Sequence, residues 1–124
     1  MYPLNTPFSL KEFSPMSSLE IDCQTVKAKM DNGDSFLLLD CREQAEYNLV
    51  HIDDAVLLPM SEIQNRFEEL NDYQEKEIII YCHHGMRSRQ VAEWLLQQGY
   101  SHVKSMRGGI DTWASDVDFS MSRY

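Results

Sequence analysis

The strongest constraint on the fold is the run Ile78-Ile79-Ile80-Tyr81, which passes without interruption into Cys82-His83-His84-Gly85-Met86-Arg87. A continuous β-branched segment of this length reads as a strand buried on both faces, and such strands belong to the middle of a parallel sheet. Parallel neighbours cannot be joined by a tight hairpin, so helices must alternate with the strands. Downstream, Val91, Ala92, Leu95 and Leu96 recur at helical spacing from a start near Ser88, and Gly99 stands where a helix would end.

The rest of the chain repeats this alternation. Residues 19–21 read as a short strand, and Asp22 as the N-cap of a helix over 22–30 with Val26 and Met30 on one face. Asn32-Gly33-Asp34 is a turn. Phe36-Leu37-Leu38-Leu39 is a second apolar strand, followed by a short helix over 43–47. Ala55 to Leu58 is a third, stopped by Pro59. Ser61 and Gln64 have the spacing of a capping box for a helix that buries Ile63, Phe67 and Leu70. A last strand over 102–105 leads through Gly108-Gly109 to a helix carrying Ile110 and Trp113. The expected architecture is therefore an α/β sandwich around a mainly parallel five-stranded sheet flanked by helices. Residues 1–18, with three of the four prolines, read as an N-terminal arm, 19–116 as the domain, and 117–124 as a polar surface tail.

Composition excludes several classes of function. A net charge of -9 argues against nucleic acid or an anionic membrane as the main partner, because both require a basic surface. No leader or membrane-length apolar run is visible, and free thiols suit a reducing compartment, so the cytoplasm is the expected location. Cys23, Cys41 and Cys82 form no Cys-x-x-Cys pair, which weighs against a disulfide framework or structural zinc. A metal site from Cys82, His83, His84 and His51 fails on geometry, since adjacent residues of a tight loop cannot all aim at one ion. Neither metal nor cofactor is expected.

Chemistry concentrates where the Ile-rich strand meets the next helix. In open α/β folds, ligands bind beyond the carboxyl ends of the strands. A helix N-terminus presents unpaired N–H groups and a partial positive charge, both of which favour an anion. Arg87, with any protonated fraction of His83 or His84, adds to that field. The expected result is a Cys82 thiolate, the form that attacks sulfur. Gly85 can take dihedrals closed to other residues, so the loop can curl its amides inward as a cradle for an extra sulfur or an oxyanion.

Three blocks in order resemble the rhodanese family across residues 19–114. They are LLLDCREQAEYNLVHIDDAVLLP, the loop from Cys82 to Arg87 with Ser88, and VKSMRGGIDTW. The resemblance implies a three-layer rhodanese-like sandwich and a thiosulfate or persulfide sulfurtransferase. Cys82 would carry the persulfide, and His83, His84, Gly85, Met86, Arg87 and Ser88 would form the cradle. Asp40 and Arg42 would brace the active-site loop by hydrogen bonds. The implied partners are a small sulfur donor such as thiosulfate and a protein thiol or sulfur carrier. Three departures stand out: Val50 where the family usually has Gly, Asp53-Asp54 where it has Pro-Gly, and His83 where many members carry Arg or Lys.

Each residue also has a plainer reading. Cys82 could be a small buried hydrophobe, Arg87 a surface charge, His83 and His84 exposed loop residues, and Asp40 with Arg42 a structural ion pair. Cys41 reads as an inert neighbour of the site with a possible second redox role, and Gly108, Gly109 and Trp113 as packing. Two other functions compete. A non-catalytic or regulatory module on the same fold would be expected to lose the cysteine. A phosphatase or arsenate reductase needs five residues between Cys and Arg, and four separate Cys82 from Arg87.

Overall fold

A computed structural model describes residues 18–124 of the chain; the arm expected over 1–18 lies outside the described residues apart from Ser18. The strands are β1 (Glu20–Ile21), β2 (Leu37–Asp40), β3 (Val56–Leu57), β4 (Glu77–Tyr81) and β5 (His102–Met106). They form one sheet in the order β1-β5-β4-β2-β3, and every pairing is parallel. The Ile-rich strand β4 is central, between β5 and β2, with Leu39 opposite Ile80 and Asp40 opposite Tyr81.

Because side chains alternate across a strand, the sheet divides its apolar residues into two layers. One face carries Leu37, Leu39, Ile78 and Ile80 against Val91 and Leu95 of α4 (Met86–Gln97). The other carries Leu38, Ile79 and Tyr81 against Val26 of α1 (Cys23–Asp31) and Ile110 and Trp113 of α5 (Gly109–Asp116). Ile78, Ile79 and Ile80 are fully buried, as a run of unalternating hydrophobics requires in a strand covered on both sides. Asp22 caps α1, its carboxylate accepting from the Thr25 amide at 2.7 Å.

Some local expectations are corrected. The capping box at Ser61 and Gln64 does not form. Ser61 Oγ donates to Glu43 Oε1 at 2.8 Å instead, so it is not available as a cap. The helix there, α3 (Ile63–Arg66), passes at once into a 3-10 segment, Phe67–Tyr73. A back-bonded start occurs one helix earlier, at α2 (Gln44–Leu49), where Glu46 Oε1 accepts from the Glu43 amide at 3.1 Å. Helix α4 starts at Met86, two positions before the expected Ser88, because Gly85 at φ +106° turns the chain directly into it. At the second departure from the family pattern, Asp54 adopts φ +70°, so an aspartate holds the left-handed turn position where glycine is usual.

Candidate active site

Residues 82–85 bridge the end of β4 and the start of α4. The first turn of α5 sits directly behind this bridge. Ile110 N–H donates to the Cys82 carbonyl at 2.8 Å, and Asp111 N–H to the His83 carbonyl at 3.1 Å. A Cβ on Gly109 would stand 2.4 Å from the His83 carbonyl oxygen, so only glycine permits this approach. The Gly-Gly-Ile segment is thus packed against the backbone of the loop that begins at Cys82.

Within the loop, the Cys82 sulfur collects donors. Gly85 N–H donates to Sγ at 3.1 Å and Ser88 N–H at 3.4 Å, and Ser88 Oγ lies 3.5 Å away. Ser88 Oγ is itself held 2.7 Å from Ser105 Oγ and donates to the Gly85 carbonyl at 3.2 Å, which ties α4 to β5. Cys82 is only 1% exposed, and burial alone would push its thiol up. The opposite wins: the neighbouring Cys41 thiol, then the hydroxyl and amide of Ser88 and the amide of Gly85, pull it down to about 4. Among the described residues, the amides of His84, Met86 and Arg87 have no protein acceptor, which leaves donors at the loop for a further anionic atom.

The Arg87 charge is engaged by a carboxylate, although it still acts on Cys82 through space. Its guanidinium forms a bidentate pair with Glu46, Nη1 to Oε1 at 2.8 Å and Nη2 to Oε2 at 2.9 Å. This clamp joins α4 to α2 and holds the Glu46 carboxyl down at about 2. Asp40 and Arg42 are fully buried and paired through Nε and Nη2 at 2.7–3.2 Å. Arg42 also donates to the Val50 carbonyl at 2.7 Å and to Tyr124 Oη at 2.8 Å. Tyr124 Oη in turn donates to Glu46 Oε2 at 2.9 Å, and its ring stacks on His83 with centroids 3.9 Å apart.

Beyond their own pairing, the side-chain hydrogen bonds of Asp40 and Arg42 among the described residues reach Val50 and Tyr124 rather than residues 82–88. The link to the loop runs through Tyr124 to His83 and through Glu46 to Arg87. His83 is sandwiched between His84 and Tyr124, and its Nε2 is buried without a hydrogen-bond partner. His84 is mostly exposed and lies 3.8 Å from Asp111 Oδ2. Met86 is exposed. His51 is elsewhere, its Nδ1 2.9 Å from the Tyr47 carbonyl and its ring stacked on Tyr47.

Sequence reasoning did not pick out Glu46, Ser105 or Tyr124. Glu46 lay in the first family-like block and had a signal there. Tyr124 had none, because the tail 117–124 carries no pattern. The tail does lie at the surface, but its last residue closes over the loop.

A family model described as the Rhodanese-like domain matches residues 22–116. The chain belongs to the rhodanese family. Among its relatives is a sulfurtransferase of Allochromatium vinosum, 39% identical over 95 residues that cover 77% of this chain and 87% of the relative. A thiosulfate sulfurtransferase, GlpE, of Coxiella burnetii is 38% identical over 77 residues, covering 62% and 70%. The human single-domain sulfurtransferase TSTD1 shares the rhodanese fold with a TM-score of 0.70 over 81% of this chain and 98% of that one, at 19% identity. No helix among the described residues of this rhodanese domain is long and apolar enough to cross a membrane.

Proposed function

We propose that this rhodanese is a sulfurtransferase that moves a sulfane sulfur from thiosulfate or a persulfide donor to a thiophilic acceptor through a persulfide on Cys82. The observation that carries the reading is the sulfur of Cys82 held by the Gly85 and Ser88 amides at a helix start, with its pKa drawn down to about 4. A low-pKa thiolate is both a ready nucleophile and a good leaving group, and a ping-pong carrier needs both. The names of the relatives point to the same chemistry.

In the first half-reaction the Cys82 thiolate attacks the outer sulfur of thiosulfate. The new S–S bond forms as the old one breaks, and sulfite leaves with the electron pair. In the second, an acceptor such as cyanide or a protein thiolate attacks the terminal sulfur, and the Cys82 thiolate departs. Loop amides without protein acceptors stabilise the negative charge on the outer sulfur and on the departing group. The enzyme works without metal or cofactor in this scheme, and the cytoplasm, where thiols stay reduced, is its proposed location. His83, His84, Met86 and Arg87 belong to the binding loop, and Asp40 and Arg42 support it through Glu46 and Tyr124.

Thiosulfate treatment followed by intact mass measurement tests this. Wild-type protein should gain the mass of one sulfur atom, Cys82→Ala should gain none, and cyanide should return the first to its starting mass. Equal gain in both proteins would remove Cys82 from the reaction.

A further inference from the structure

Cys41 is a buried nucleophile that the sulfur-transfer cycle leaves unused. It follows β2 as Cys82 follows β4, and the two strands are hydrogen-bonded parallel neighbours with Asp40 opposite Tyr81. Cys41 and Cys82 are thus one step beyond a register pair. Cys41 N–H donates to the Tyr81 carbonyl at 3.1 Å and Met60 N–H to the Cys41 carbonyl at 2.9 Å, so its backbone is fixed from both sides. Both side chains enter the same face of the sheet, in the layer with Leu39 and Ile80. Neighbouring strands lie about 4.8 Å apart, inside the Cα separation of about 4.4–6.8 Å that a disulfide requires. The Cys41 thiol is also the side-chain partner with the largest influence on Cys82.

We propose that Cys41 acts as a second nucleophile, attacking the inner sulfur of the Cys82 persulfide to release hydrosulfide and leave a Cys41–Cys82 disulfide. This rests on the sulfurtransferase reading. In the step, the bond between Cys41 Sγ and Cys82 Sγ forms while the bond from Cys82 Sγ to the outer sulfur breaks. The outer sulfur takes that electron pair and the proton of the Cys41 thiol, and leaves as hydrosulfide. The sulfane sulfur is reduced, the two thiols are oxidised together, and no outside oxidant is required. Displacement at sulfur is in line, so the nucleophile and leaving group must stand on opposite sides of Cys82 Sγ. Cys41 comes from the fully buried side, and the outer sulfur must extend towards the loop amides, because the core side is filled. A persulfide left without an acceptor would discharge by this route and lock the enzyme until a thiol reductant reopens the disulfide.

The test loads the reduced full chain with thiosulfate, or in a second arm with inorganic polysulfide, removes the donor, and follows intact mass and hydrosulfide over time. Wild-type protein is expected to lose the added sulfur, release hydrosulfide in equal amount, and end lighter than the reduced protein by two hydrogen atoms, with the peptides holding Cys41 and Cys82 linked. Cys41→Ser, which keeps a donor beside Cys82, is expected to hold its persulfide and release no hydrosulfide. Cys23→Ser should behave as wild type, since Cys23 lies in the opposite layer of the sheet, away from Cys82. A stable persulfide in wild-type protein, or equal hydrosulfide release from Cys41→Ser, would overturn the proposal while leaving sulfur transfer intact. No added mass in Cys41→Ser from either donor, together with no hydrosulfide from wild-type protein, would remove the sulfurtransferase reading and this step with it.

Discussion

At the scale of the residue, the decisive balance is at Cys82. Burial favours the neutral thiol, and the contacts with Cys41, Ser88 and Gly85 favour the anion; the anion wins. Alkylation by iodoacetamide should therefore stay fast from neutral pH downward and fall with a midpoint near pH 4, the pKa of the bound sulfur. A midpoint above pH 8 would mean that the cradle does not act on the sulfur. Gly85 is the second decisive residue. Its φ of +106° disfavours any side chain, and a Cβ there would meet Gly108 N at 3.1 Å. Gly85→Val should keep its secondary structure by circular dichroism yet lose sulfur transfer, because the amide that donates to Sγ moves. Full activity in that variant would contradict the loop geometry.

Elements are coupled through charge as well as packing. Glu46 on α2 and Arg87 on α4 are only partly exposed, at 22% and 34%, so their bidentate pair is better shielded than a surface bridge. Glu46→Gln should lower stability by about 1–2 kcal/mol and slow sulfur transfer, because α4 carries the Ser88 amide. The pH dependence has a definite sign. The folded-state pKa of Glu46 is depressed, so its contribution is complete above the unfolded value of about 4.5 and is lost as pH falls through about 2. Melting curves between those limits should fall for the wild type and be flatter for Glu46→Gln; parallel curves would show that the pair adds nothing.

For the whole molecule, the sheet is the frame that both helix layers and the site depend on. Ile79 and Leu95 are fully buried on opposite faces of it. Truncating either to alanine should cost about 2–5 kcal/mol, read as a lower urea midpoint at unchanged slope. A loss much smaller for one face than for the other would mean that the two layers are not equally packed.

The chain's own pattern determined the parallel α/β frame, the centrality of β4 and the position of Cys82, because unalternating strands, capping residues and glycines act over a few neighbouring residues. The Asp22 cap, the Gly99 stop and the left-handed Gly85 are all local in this sense. Local pattern also misled once: Ser61 and Gln64 have the right spacing for a capping box, but the Ser61 hydroxyl is taken by Glu43, which is distant in sequence. Partnerships of that kind depend on which elements the fold sets side by side. Only the tertiary structure decided that Arg87 would pair with Glu46 and that Tyr124 would return to cover His83. These contacts join residues 41 positions apart, and charge and stacking act through space rather than along the chain.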